Sequence, residues 1–241
     1  MALYIFSDVH LGSGPPEKEE LKKKKIAQLF ELVKKDGDRL VILGDLFDFW
    51  FEYKTVMPKD QFAVLYMLYE LKERGIQIDY ISGNHDFWMH DFFPVQMNLP
   101  IHQDFLNIEY DNLKLHLIHG DGLSPSDKGY HFIKKVFRNR FNIWLYRNLL
   151  PPDFAFKFAK MFSGSSREYT ARRDHHFKED YENYAEQKIN EGFDFVAIGH
   201  LHLPVSKKFD KGLYINTGDF INHFTYARIE HGQAELKKLP D

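Results

Sequence analysis

The chain has 241 residues, 44% hydrophobic and 28% charged, with a formal net charge of −3; that suffices for one full core, excludes a disordered chain and gives no whole-molecule case for nucleic acid. It has no cysteine, so disulfides, thiolate metal sites and cysteine nucleophiles are excluded together, which suits a reducing compartment. The start Met1-Ala2-Leu3-Tyr4-Ile5-Phe6 lacks the basic residues and longer apolar stretch of a signal peptide, and no window approaches the ~20 apolar residues of a membrane span, so the expected location is the cytoplasm.

Leu3–Ser7 is a short apolar run ending at Asp8, the pattern of a buried strand. Glu17–Lys35 carries Leu21, Ile26, Leu29, Phe30 and Val33 on one side and lysines on the other, which predicts an amphipathic helix. Leu40–Leu43 reads as a second buried strand closed by Gly44-Asp45, Gln61–Arg74 as a helix stopped by Gly75, and Gln77–Ile81 as a third strand. This alternation predicts a mostly parallel sheet, whose ligands gather at the carboxyl ends of the strands. Beyond Pro100, Leu106–Tyr110 and Leu113–Ile118 form an expected antiparallel pair. A long helical stretch runs from about Ser126 to Asn190, and Phe195–Ile198 follows as a strand. Val205–Phe209, Leu213–Asn216, Thr225–Glu230 and Ala234–Lys238 read as a closing β-meander.

Five polar clusters punctuate this pattern: Asp8-Val9-His10, Gly44-Asp45-Leu46-Phe47-Asp48, Gly83-Asn84-His85-Asp86, His119-Gly120-Asp121 and Gly199-His200-Leu201-His202. An isolated Asp-x-His is usually a surface turn, and an isolated His-x-His two neighbours on one strand face. Here every cluster closes a predicted strand, and Asp8/His10 and His200/His202 have the two-residue spacing that points side chains the same way on extended backbone. Three clusters place glycine before the polar residue, where the chain can turn sharply and a metal or phosphate can approach. Without thiolates the remaining ligands are carboxylate, imidazole and amide oxygen, a set suited to Mn²⁺, Fe or Zn²⁺ more than to Ca²⁺.

In order and content these blocks resemble those of the calcineurin-like metallophosphoesterases, over Asp8 to Asp219. The resemblance implies an α/β fold, a metallophosphoesterase sandwich of mixed β-sheets flanked by helices. It implies one metal held by Asp8, His10, Asp45 and His202, a second held by Asp45, Asn84, His119 and His200, and Asp45 bridging the two. Mn²⁺ is the expected metal, with Fe or Zn²⁺ as alternatives, and the pair would activate water toward a phosphate ester or anhydride. His85 would protonate the leaving oxygen, with Asp48 hydrogen-bonded to it and keeping it oriented and cationic. Asp86 would brace the Asn84 loop.

The segment Lys128–Phe162 holds ten aromatic residues in thirty-five and eight lysines and arginines against one acid, Asp153. A basic, aromatic helical insertion beside an active site fits a lid or acyl-chain pocket at a membrane surface. The same aromatics would also fit the core of a small helical subdomain. Nucleic acid could stack on them too, though the acidic overall balance opposes it. Within its superfamily the chain most resembles the UDP-2,3-diacylglucosamine pyrophosphatases of lipid A synthesis, through Phe6–Gly12, Gly44–Asp48, His119–Leu123, and the spacing on to Asp127 and Gly129-Tyr130. That resemblance implies Asp127, Ser166, Arg167 and Arg173 near the glucosamine and diphosphate, and Phe137, Phe141 and Trp144 against acyl chains. This group typically has Arg where this chain has His85 and Glu where it has Asp48.

The expectation is a single domain, 1–241, with a helical lid insertion at 126–176. Its expected reaction is hydrolysis of the pyrophosphate of UDP-2,3-diacylglucosamine to 2,3-diacylglucosamine 1-phosphate and UMP. The expected setting is the cytoplasmic face of the inner membrane, with no nucleic acid and no obligate protein partner evident. The alternatives are a phosphoesterase acting on a soluble nucleotide or phosphoprotein, and a non-catalytic metal-bearing scaffold.

Overall fold

The computed structural model describes residues 1–125, 127–159 and 174–240. β1 (Ala2–Phe6) is buried along its whole length, because a central parallel strand is covered on both faces and so reads as a continuous apolar run. α1 (Pro16–Asp36) begins with Pro in its first turn, carries Glu17 and Glu19 there, and ends with Lys34 and Lys35, charges that complement the helix dipole at both ends. β2 (Gly37–Ile42), α2 (Phe62–Glu73) and β3 (Gln77–Ile81) follow as expected from the pattern. A two-residue strand, β4 (Ile101–His102), extends the parallel row.

β5 (Phe105–Tyr110) and β6 (Leu113–Ile118) form the antiparallel pair. Among the described residues, the stretch after β6 holds three helical runs: α3 (Lys128–Phe137), α4 (Arg140–Leu149) and α5 (152–159). Asp127 caps α3 by accepting from Tyr130 N, and Asn139 caps α4 by accepting from Phe141 N and Asn142 N, so two short polar residues set the breaks between them. α6 (Asp174–Asn190) leads into β7 (Phe195–Ile198), β8 (Pro204–Phe209), β9 (Gly212–Thr217), β10 (Thr225–Glu230) and β11 (Gln233–Lys238).

The strands form two sheets, ordered β11-β10-β1-β2-β3-β4 and β5-β6-β7-β9-β8. Alternation along β1 sends Leu3 and Ile5 between the sheets, where they meet Val41, Leu115, Phe195 and Ile215. Tyr4 and Phe6 point the other way into the layer with Ile26, Leu29, Phe30, Leu65 and Leu68 of α1 and α2. The far face of the second sheet is covered by Phe177, Tyr181, Ala185 and Ile189 of α6. Each such aliphatic side chain, fully buried, stabilises the fold by ~1.5–3 kcal/mol. The result is helix, sheet, sheet, helix.

The last four strands are not one meander. β8 and β9 form a hairpin in the second sheet, whereas β10 pairs with β1 and β11 in the first. Asp219 makes the crossing, its Oδ1 accepting from the backbone N–H groups of Ile221, Asn222 and His223. Period-2 alternation fixes which face of a strand is buried but not which sheet it joins.

Candidate metal centre

The parallel strands β1, β2, β3, β6 and β7 end on one rim, and each of the five clusters sits just past one of those ends. The backbone there is not extended. Asp8 (φ 55°), His10 (φ 48°), Asp45 (φ 53°), His200 (φ 67°) and His202 (φ 56°) are all left-handed. The shared orientation of the paired ligands therefore comes from tight turns rather than from strand pleating. Left-handed Asp and His are tolerated but uncommon, and such strain gathers where surrounding structure over-determines it. Here the first two loops are locked together: Val9 N and His10 N both donate to Asp45 O at 2.9 Å, and His200 N donates to Asp8 Oδ2 at 2.9 Å.

The side chains converge in two lobes. In one, His10 Nε2 and His202 Nε2 are 3.1 Å apart, and His202 Nε2 is 3.4 Å from Asp8 Oδ1. In the other, His119 Nε2 lies 3.1 Å from Asn84 Oδ1, with the His200 ring 5.1 Å from the His119 ring. Asp45 Oδ2 belongs to both, 3.6 Å from His10 Nε2 and 3.5 Å from His119 Nε2. All seven sequence-predicted ligands are thus brought together, and the expected bridging carboxylate is the one between the lobes.

The donor set fits divalent cations. His119 Nδ1 lies 2.6 Å from the Leu43 carbonyl, a partner that only accepts, so Nδ1 carries a hydrogen and Nε2 is the nitrogen turned toward Asp45, where a cation would take the place of its proton. Among the described residues no hydrogen-bond donor reaches Asp8 Oδ1, although it is fully buried and faces His202 and His10. A buried carboxylate oxygen among imidazole nitrogens calls for a cation. The field agrees. Burial alone would lower the pKa of His119, but Asp45 and Asp8 outweigh it and draw it up to about 10. Burial alone would raise Asp45, yet the His119, His85 and His10 imidazoles hold it well below the ordinary carboxylate range. Burial and then His119 push His200 down to about 4, so this pocket stabilises positive charge while keeping a lone pair free beside it.

His85 is buried at the edge of the first lobe, its ring 4.6 Å from that of His10. Its Nδ1 is 2.9 Å from the backbone carbonyl of Asp48 and 3.7 Å from Asp48 Oδ1. The sequence-based expectation put the Asp48 carboxylate in that bond. Instead the carbonyl fixes the His85 ring, while the carboxylate stands 3.7 Å from both His85 Nδ1 and His10 Nδ1. Burial also lowers the His85 pKa, against the pull of Asp45 and Asp86. Asp86 does brace its loop: Oδ1 accepts from Gly83 N at 2.8 Å and Oδ2 from the Tyr80 hydroxyl. Burial, with the Asp45 charge, pushes Asp86 up to about 6.

Gly83 is irreplaceable on steric grounds, since a Cβ there would stand 2.0 Å from Asp45 Oδ1. At Gly199 a Cβ would be 2.9 Å from Asp8 Oδ2. These glycines let the backbone pass directly behind the ligands.

The insertion is seated on an aromatic platform that leaves little sequence signal beyond aromatic density near the second and third clusters. Tyr146 packs 4.9 Å from Phe51 and 5.0 Å from Trp88, and Phe156 lies 5.4 Å from Phe49. Trp88 Nε1 donates to Phe137 O at 2.9 Å, and Tyr53 OH to Leu150 O at 3.1 Å. Phe137, Phe141 and Trp144 are instead 44%, 65% and 56% exposed. The aromatics therefore divide: Tyr146 and Phe156 pack against Phe49, Phe51 and Trp88, and others lie on the surface. Asp127 is buried and serves α3 as its cap. Ser166, Arg167 and Arg173 lie outside the described residues.

Comparison with known proteins places this geometry. A UDP-2,3-diacylglucosamine hydrolase of Porphyromonas gingivalis is 26% identical over 256 residues, covering 99% of this chain and 98% of that protein. One of Pseudomonas fluorescens is 26% identical over 211 residues, covering 87% and 82%. Among solved structures, an archaeal phosphodiesterase superposes with a TM-score of 0.52 at 16% identity, covering 99% of this chain and all of that one, which supports the fold. The family model described as calcineurin-like phosphoesterase matches residues 1–204. That match takes in every loop of the rim through His202, and the chain accordingly belongs to the calcineurin-like phosphoesterases, a family of metal-dependent hydrolases.

Proposed function

We propose that this hydrolase cleaves the pyrophosphate of UDP-2,3-diacylglucosamine, releasing 2,3-diacylglucosamine 1-phosphate and UMP. The observation that carries the reading is an apolar and basic surface joined directly to the metal rim. Phe132, Ile133, Phe137, Phe141, Trp144, Leu149 and Phe154 are exposed on α3 to α5, in a stretch, 128–162, whose sequence has eight basic residues and one acid. An anionic diphosphate with acyl chains needs both features next to each other. Two curated relatives that span most of the chain carry this activity in their names.

In this reading Asp8, His10, Asp45 and His202 would hold one Mn²⁺, and Asp45, Asn84, His119 and His200 would hold the other. Bound there, the cations supply positive charge that makes hydroxide available near neutral pH and offsets the phosphoryl oxygens. With its Nδ1 tied to the Asp48 carbonyl, a protonated His85 would give a proton to the leaving oxygen from Nε2. Desolvation lowers the pKa of His85 in the free chain, and an arriving diphosphate would raise it by proximity of opposite charge. The exposed lid face rests on the cytoplasmic surface of the inner membrane; among the described residues no helix is long and apolar enough to cross one.

The deciding experiment incubates the chain with UDP-2,3-diacylglucosamine and Mn²⁺ and identifies the products. UMP and the lipid monophosphate in equal amounts are expected. Hydrolysis of bis-p-nitrophenyl phosphate without release of UMP from the lipid nucleotide would rule out this substrate and leave a phosphoesterase of soluble esters.

A further inference from the structure

The loop leaving β6 carries His119, and two residues on, the nearly buried side chain of Asp121 collects donors from the insertion. Its Oδ2 accepts from Tyr130 OH at 2.8 Å and lies 2.7 Å from Lys134 Nζ and 3.0 Å from an Arg138 guanidinium nitrogen. Lys134 Nζ also donates to the Asp121 backbone carbonyl at 2.8 Å. Positions 130, 134 and 138 recur every four residues, so these three side chains share one face of α3 and its C-terminal cap. The same region touches the two residues that follow the third cluster. The Arg138 guanidinium stands 4.0 Å over the Phe87 ring, and Trp88 bonds the last carbonyl of α3. The Tyr130 ring lies 6.1 Å from that of His200.

We propose that Asp121 is a positioning residue that clamps α3 across the loops bearing His119 and Asn84-His85, so that the seating of the insertion and the geometry of the rim are set together. A small ester needs only the rim. A substrate with a diphosphate at the rim and a tail along the insertion needs both in register, so the clamp selects for the second kind. The clamp stands on the contacts alone; its effect on substrate choice rests on the lipid nucleotide reading above.

The test is Asp121→Asn, which keeps the size of the side chain and leaves Lys134 and Arg138 without a counter-charge. Backbone hydrogen exchange is followed for α3 and for β1 and β7. The expected result is exchange about tenfold or more faster in α3 with β1 and β7 unchanged, as local opening requires. On the lipid nucleotide, kcat/KM falls about tenfold or more with most of the change in KM, and Asp121→Glu restores part of it. Arg138→Met breaks the same clamp from the other side, so the double variant is no worse than the worse single one. Unchanged exchange in α3, additive losses in the double variant, or faster exchange in all elements with a lower melting temperature would each overturn the proposal. If wild type itself does not cleave the lipid nucleotide, that reading fails while the exchange data still decide the clamp.

Discussion

Gly83 and Asp45 make the tightest steric pair in the rim, and a single methyl group tests it. Gly83→Ala places a carbon 2.0 Å from Asp45 Oδ1 and 2.6 Å from Asp45 N, so the bridging carboxylate must move. Displacing reactive groups by about 1 Å costs on the order of 10²-fold in rate. We expect that loss in kcat, together with reduced metal content, and near-normal turnover would show that the loop yields freely. His85→Ala is predicted to lower kcat by about 10²–10⁴ with metal content near wild type. Loss of both metals in that variant would make His85 a ligand. At this scale the sequence was informative because glycines and polar residues cluster at the strand ends. It gave no hint that Asp8, His10, Asp45, His200 and His202 are left-handed, since Asp and His adopt that backbone only occasionally, nor that the Asp48 carbonyl holds His85, since a carbonyl belongs to every residue.

Among elements, α4 presents two kinds of aromatic. Tyr146 faces inward against Phe51 and Trp88, while Phe141 and Trp144 stack on each other at 6.1 Å on the exposed face. Changing Phe141 and Trp144 together to Ala should leave the melting temperature and hydrolysis of bis-p-nitrophenyl phosphate nearly unchanged. It should cut kcat/KM on the lipid nucleotide by roughly 10²-fold, the worth of burying two aromatic side chains. Tyr146→Ala should instead lower the melting temperature and impair both substrates, because it unseats the insertion. A parallel loss on both substrates from the Phe141/Trp144 pair would assign those two to the core. The helices of the insertion were legible from composition, but not the division of their aromatics, because counting residues does not say which face of α4 meets the platform. β4, two residues long, was invisible for want of any periodicity, and the split of the last four strands between sheets depends on the turn built by Asp219.

Across the whole molecule, the second sheet carries a pH-sensitive packing contact on β6, three residues before His119. His116 is buried with Nδ1 2.7 Å from Asn107 Oδ1 and Nε2 2.9 Å from Tyr184 OH. Burial, and then Lys188, push its pKa down to about 4. Between pH 6.5 and 4 the unfolded chain therefore binds a proton that the folded chain does not. The stability His116 contributes is complete above pH 6.5 and is lost as pH falls toward 4, by about 2–3 kcal/mol. Urea titrations across that window should show stability falling with acid, and His116→Gln should flatten the slope. An unchanged slope would mean that His116 titrates as it does in the unfolded chain.

Everything proposed for the rim depends on one carboxylate serving two cations, and the number of metal ions per chain reads that directly. Elemental mass spectrometry of Mn²⁺-loaded protein should find close to two equivalents in wild type. Asp45→Ala removes a ligand from each lobe, so it should fall well below two and lose turnover. Two retained equivalents with near-normal turnover in Asp45→Ala would contradict a bridged two-metal centre.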